Sequence, residues 1–564
     1  MNSKEIILEK DIACTLRDGT ILRADIYRPA ENGKYPVLLT RLPYGKDDPF
    51  YSHRYLDTNR LVLAGFVVIV QDVRGRFKSD GDFFPFQDEA KDGYDSVEWA
   101  AKLPYADGNV GMFGLSYYGF TQLLAARERP PHLRAIFPAM TLNDLRNNMV
   151  YRDGIPSLAS MKTWILESMV PDLLRRKYPD QKTYTEKMQQ WAKALDNLPE
   201  EYAKSLEDGW PLLEDFGVAE EFFQIYRLAE DAPLWKQTSI LNSYDQLQYP
   251  AVHLGGWYDS LLKSTIENYQ HMQQKSNCCQ RLIIGPWTHG DFGSAAGERE
   301  FGMKASESFL DGEEDLTNLH IRWFDHWLKG KNTNIEKDAP VKLFVMGSNV
   351  WRDEQEWPLA RTTYTPYYFS SSGHANSRFG DGILIKNIPL EEPVDTYNHD
   401  PANPVPSLGG QNLYRGVATA GPRNQQDLEK RKDILVYTTP LLESALEVTG
   451  PVKVILWASS ENEYAHFTAK LVDVFPDGKA YNLTDGTVKA TFTGEGGHKG
   501  EPVCMEIDLW ATSNVFMPGH AIRVEIASSN YPKFSVDKSR GKRQTVQTIY
   551  HDRDHPSHIL LPII

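Results

Sequence analysis

An apolar run, Val110-Gly111-Met112-Phe113-Gly114, leads through Leu115 into Ser116 and then directly into Tyr117-Tyr118-Gly119-Phe120. Phe120, Leu123 and Leu124 recur at helical spacing, so a strand has to turn sharply into a helix with a serine at the corner. Read alone, the corner is only moderately specific, because a glycine-flanked serine capping a helix is frequent. Where it occurs, the turn is strained, and small residues let neighbouring backbone pass close to it. The helix N-terminus behind the serine also brings positive potential to the place where an oxyanion would form. The commonest form of this turn has glycine two residues after the serine. Here that position is Tyr118, and glycine follows one residue later at Gly119.

The surroundings suit a layered α/β fold. Ile21–Tyr27, Pro36–Thr40, Phe66–Gln71 and Ala135–Pro138 are apolar and strand-like, and Glu89–Lys102 carries Ala90, Tyr94, Val97 and Ala101 at helical spacing. Alternating strands and helices imply a largely parallel sheet. From about 146 to 243 the pattern turns helical, with Trp164, Ile165, Met169, Leu173 and Leu174 on one stripe, as in an inserted cap. Strand patterns resume at Ala251–Leu254 and Arg281–Ile284, and a helix closes at Gly330 with His320 and His326 expected on its polar face. Beyond Gly347 come short alternating runs separated by Pro, Gly, Asn and Asp. The expected organisation is therefore a layered α/β domain over 1–145 and 244–347, a helical cap over 146–243, and a C-terminal β sandwich or jelly roll over 348–564.

A serine hydroxyl needs a base, and the base needs an orienting carboxylate. In folds of this kind the three follow the chain order serine, acid, histidine, each at a strand end. Ala251–Leu254 leads into Gly255-Gly256-Trp257-Tyr258-Asp259, and Arg281–Ile284 leads into Gly285-Pro286-Trp287-Thr288-His289. Ser116, Asp259 and His289 are thus the expected catalytic residues. Asp72 also ends an apolar strand, but it precedes the serine, and Arg74 and Arg76 suggest that it belongs to an ion pair in a turn. His253 falls inside a strand rather than beyond its end. His320, Asp325 and His326 lack the one-face pairing of metal-binding histidines, so neither a metal nor any other cofactor is expected.

Taken together, Arg41–Tyr44, Gln71–Arg76 with Ser79-Asp80-Gly81, Asp92–Trp99, Gly114–Gly119, Gly256–Asp259, Gly285–His289, Trp323–Gly330, Leu471–Val474 and Pro518-Gly519-His520 resemble one group of serine hydrolases. It is the cocaine esterase and X-Pro dipeptidyl-peptidase group, which also includes α-amino acid ester hydrolases and glutaryl acylases. The Ser-Tyr-x-Gly corner is that group's own. The resemblance implies an α/β-hydrolase domain with an inserted helical cap and a C-terminal jelly roll of galactose-binding-like type, and an oxyanion hole made by the amide of Tyr117 and the hydroxyl of Tyr44. It also implies cleavage of an ester or amide, with X-Pro dipeptidyl-peptidase and amino acid ester hydrolase activities as alternatives.

The ester hydrolases that hold a substrate ammonium carry acidic residues soon after the triad aspartate. Here Ser260, Leu261 and Leu262 follow Asp259, so Leu261 and the cap's Trp164 are expected to form an apolar wall for the acyl group. With a net charge of −15, nucleic acid and anionic membranes are not expected partners. The expected partner is a small ester, amide or short peptide, and a homo-oligomer remains open. Four scattered cysteines and no apolar leader at the N-terminus suggest a reducing, cytoplasmic setting.

Overall fold

The computed structural model describes residues 5–564 except 54–55, 205–208, 220–221, 223, 414–419, 493–499 and 537–543. Ten strands form the first sheet: β1 (Ile6–Thr15), β2 (Ile21–Pro29), β3 (Tyr35–Leu42), β4 (Val67–Asp72), β5 (Ala106–Leu115), β6 (Leu133–Ala139), β7 (Ala251–Tyr258), β8 (Gln280–Thr288), β9 (Val341–Val345) and β10 (Val350–Glu354). Their order is β1-β2-β4-β3-β5-β6-β7-β8-β9-β10. From β4 to β9 every neighbouring pair is parallel; β1–β2, β2–β4 and β9–β10 are antiparallel.

The parallel strands are buried on both faces, which is why they read as unbroken apolar runs rather than alternating ones. All six residues of β4, Val-Val-Ile-Val-Gln-Asp, are buried. Each of its four buried Val and Ile side chains contributes about 1.5–3 kcal/mol relative to exposure. β1 lies at the edge, and its half-exposed, charge-bearing sequence hides it from a search for apolar runs. Through β10 the sheet continues beyond Gly347.

Among the described residues, the stretch between β6 and β7 is mainly helical with one small hairpin, Tyr151–Arg152 and Ile155–Pro156. Helix Ala159–Trp164 passes through a π-turn, Ile165–Met169, into helix Val170–Lys177. Pro171 has no N–H to complete an ordinary helical ladder at this junction. The C-terminal residues build an eleven-stranded, almost wholly antiparallel sheet whose longest pair joins Leu446–Ser460 to Val503–Phe516.

Two expectations need correction. His320 lies on the apolar face of helix Leu316–Lys329, fully buried and stacked on Phe137 at 3.6 Å. Its Nδ1 donates to the Leu316 carbonyl at 2.8 Å, which satisfies the ring there, and burial lowers its pKa to about 3. Asp72 does not pair with its neighbouring arginines. Arg74 binds Asp92 at 2.7 Å and Asp18 at 2.9 Å, whereas Asp72 accepts the backbone N–H of Lys46 at 2.7 Å. Burial then pushes the Asp72 carboxyl up to about 7.

The C-terminal sheet holds a buried charge cluster whose effect on stability has a definite sign. His551 Nδ1 lies 2.9 Å from Glu392 and Nε2 lies 3.0 Å from Asp395, so both ring nitrogens act as donors and the ring is an imidazolium. Burial alone would lower its pKa, but the hydrogen bond and charge of Asp395, followed by those of Glu392, raise it. A raised histidine stabilises the fold fully below its unfolded pKa of about 6.5, and loses that contribution as pH rises through the folded value. In urea denaturation, the stability gap between the protein and His551→Gln is expected to be larger near about pH 6 than near about pH 9. A gap independent of pH would rule out the imidazolium.

Candidate active site

β5 ends beside Ser116, and the helix Tyr117–Arg127 starts at the next residue. Ser116 has φ 60° and ψ −122°, a backbone conformation costing about 1–3 kcal/mol for a residue with a side chain. Contacts on both sides hold it there: its N–H donates to the Ala139 carbonyl at 2.9 Å, and its carbonyl accepts from Thr141 Oγ1 at 2.6 Å. The shifted glycine has a steric explanation. A Cβ on Gly114 would sit 2.5 Å from the Tyr118 ring, so Tyr118 packs across the corner where only a glycine fits. A Cβ on Gly119 would lie 2.7 Å from Thr141 Cβ and 2.9 Å from the Ala139 carbonyl. Close passage under β6 therefore demands glycine at 119, and nothing demands it at 118.

Tyr117 opens the helix, so its N–H has no intrahelical acceptor. Its side chain is anchored on the far side. The phenol donates to Glu89 Oε1 at 2.8 Å and accepts from Phe86 N–H at 3.0 Å, and Glu89 is itself paired with Arg41 at 2.8 Å.

Asp259 and His289 follow the ends of the neighbouring strands β7 and β8. Asp259 Oδ1 accepts from His289 Nδ1 at 2.6 Å, with the carboxylate fully buried and the ring mostly so. An ionised carboxylate can only accept, so Nδ1 carries the proton and Nε2 keeps its lone pair.

Ser116 and His289 line one cavity of about 350 Å³ with Tyr44, Tyr118 and Trp164. The Tyr44 hydroxyl lines the cavity with Ser116 and accepts from Trp164 Nε1 at 3.1 Å, and the Tyr44 ring stacks on Tyr51 at 4.5 Å. Burial, the largest cause, raises the Tyr44 pKa far above that of an ordinary phenol and keeps the hydroxyl protonated. Leu261 does not line the cavity. Its side chain is buried in the hydrophobic cluster that also holds Tyr44, Tyr117 and Trp164.

Sequence reading missed several lining groups. Glu167 comes from the π-turn, Asp291 and Glu307 follow β8, and Asn412, Leu413 and Ala420 come from the C-terminal part. The three carboxylates come from separate segments and form no local motif. Only their acidic character next to the Trp164 helix and His289 could have flagged two of them.

A strained serine on a strand–helix corner, sharing one cavity with the histidine of a buried Asp–His pair at the carboxyl edge of a parallel sheet, is the arrangement of a serine hydrolase of the α/β-hydrolase class. Residues 18–291 match the X-Pro dipeptidyl-peptidase (S15 family) model, and 333–560 match the X-Pro dipeptidyl-peptidase C-terminal non-catalytic domain. The chain is 36% identical to cocaine esterase from Rhodococcus sp. (strain MB1 Bresler) over 98% of both proteins. It belongs to the cocaine esterase and X-Pro dipeptidyl-peptidase family of serine hydrolases. An α-amino acid ester hydrolase shares the fold at a TM-score of 0.80 and 21% identity, covering 100% of this chain and 97% of its own. An aminopeptidase from a marine-sediment Thaumarchaeota archaeon does so at 0.78 and 21%, with the same coverage. Among the described residues no helix is long and apolar enough to cross a membrane.

Proposed function

We propose that the chain hydrolyses an ester of a small carboxylic acid through an acyl-enzyme on Ser116. The observation that carries this reading is the 2.6 Å Asp259–His289 pair opening onto the same cavity as the strained Ser116 and the Tyr44 hydroxyl. His289 Nε2 takes the Ser116 proton as Oγ attacks the carbonyl carbon, and Asp259 stabilises the imidazolium that forms. The tetrahedral oxyanion is held by the Tyr117 N–H and the Tyr44 O–H. His289 then hands its proton to the leaving alcohol, and water repeats the cycle on the acyl-enzyme. Burial of Tyr44 supports its part, because a phenol that stays protonated stays a donor.

The full-length relative named an esterase supports the ester over the peptide. A second reading, X-Pro dipeptidyl-peptidase or amino acid ester hydrolysis, is favoured by one observation. Glu167, Asp291 and Glu307 give the cavity the negative lining that a substrate ammonium needs, despite the apolar residues after Asp259. Purified protein is expected to turn over a nitrophenyl acyl ester much faster than a Gly-Pro nitroanilide. Strong turnover of the anilide alone would reverse that order and sink the esterase reading.

A further inference from the structure

The hydroxyl of Tyr44 is reached from the cap as well as from the sheet. Trp164 donates to its oxygen at 3.1 Å, and an indole nitrogen has a proton to give but no lone pair to accept with. An acceptor in that place would take up the Tyr44 proton itself. A donor leaves the proton free and, by polarising the O–H, strengthens the bond it makes.

The helix that carries Trp164 is tied to the backbone beside Tyr44 by one buried guanidinium. Arg76 Nε donates to the Pro43 carbonyl at 2.8 Å, while Nη1 and Nη2 donate to the carbonyls of Met169 and Ser168 at 3.0 and 2.8 Å. The Arg76 side chain is 0% exposed, and its nearest carboxylate, Asp172, lies 3.8 Å away. It thus spans the residue before Tyr44 and the end of the π-turn that follows Trp164.

We propose that Trp164 and Arg76 are positioning residues for the oxyanion hole: Arg76 fixes the cap helix against the Tyr44 segment, and Trp164 aims the Tyr44 proton at the oxyanion. This rests on the acyl-enzyme reading above. It gives Trp164 a role distinct from that of a hydrophobic wall, and it gives the Arg-Gly-Arg turn at 74–76 a purpose.

The test is a double-mutant cycle read on nitrophenyl acetate and nitrophenyl benzoate. Tyr44→Phe removes an oxyanion donor and is expected to lower kcat on the order of 10²–10³-fold. Trp164→Phe keeps an aromatic ring and removes the N–H together with part of the indole's volume. It is expected to lower kcat on the order of 10-fold for both esters with KM unchanged, and to add almost nothing in the Tyr44→Phe background. Arg76→Lys keeps the charge but cannot span three carbonyls, and should show the same lack of additivity.

If Trp164→Phe costs as much in the Tyr44→Phe background as in the native one, or if its cost tracks acyl size through KM, Trp164 is a wall and the proposal is wrong. If Tyr44→Phe alone leaves kcat unchanged while Ser116→Ala is inactive, the oxyanion role of Tyr44 falls and takes the brace with it, but the nucleophile stands. Melting curves of each variant separate loss of fold from loss of geometry.

Discussion

Replacing Ser116 with alanine is expected to lower kcat on nitrophenyl esters by about 10⁴- to 10⁶-fold and to abolish labelling by a fluorophosphonate. The change removes one oxygen from a corner whose other bonds are made by backbone. The N–H to Ala139 and the carbonyl to Thr141 both survive it. The fold should therefore persist, and an unchanged melting temperature beside a lost rate would assign the loss to chemistry. Residual hydrolysis should come from the oxyanion donors acting on water, which is why the floor lies above zero. Near-native turnover by Ser116→Ala would mean that the reaction does not pass through this corner at all.

Asp259→Asn is the second large effect, expected at about 10⁴-fold in kcat. The buried carboxylate can only accept from Nδ1, and this leaves the Nε2 lone pair available to Ser116. An asparagine amide can instead donate to Nδ1, which moves the ring proton to Nε2 and leaves no base toward the serine. The side chains are nearly the same size, so packing around the 0%-exposed position should hold. A rate loss of only a few-fold, with stability intact, would show that His289 takes its orientation from elsewhere.

Much of this was legible in the chain because parallel strands write themselves as apolar runs, and the polar residues that end them stand out. Ser116, Asp259 and His289 each follow such a run, and the structure brings Asp259 and His289 into contact across adjacent strands. β1 was hidden because an edge strand tolerates charge. His320 was misplaced because a hydrogen bond to the carbonyl one turn back lets an uncharged imidazole occupy an apolar face. Leu261 lay close to Asp259 in sequence, yet its side chain turns into the core. The contacts that shape the cavity are long-range: Trp164 meets Tyr44 across 120 residues, and three carboxylates arrive from separate segments. Nothing local encodes such meetings.

One more buried cation has a bearing on how the chain can be recombined. Arg152, in the small hairpin between β6 and β7, is 8% exposed, donates to the Ser260 carbonyl beside Asp259, and lies 4.4 Å above the ring of Trp510 in the C-terminal sheet. Three stretches of sequence share one charge, and the aromatic face that covers it belongs to the C-terminal domain. Exchange of that domain for a foreign one must therefore bring an aromatic to the place of Trp510. Without it, a guanidinium next to Asp259 loses its cover. The two halves of this enzyme are thus coupled through one buried guanidinium beside Asp259, although each has its own sheet.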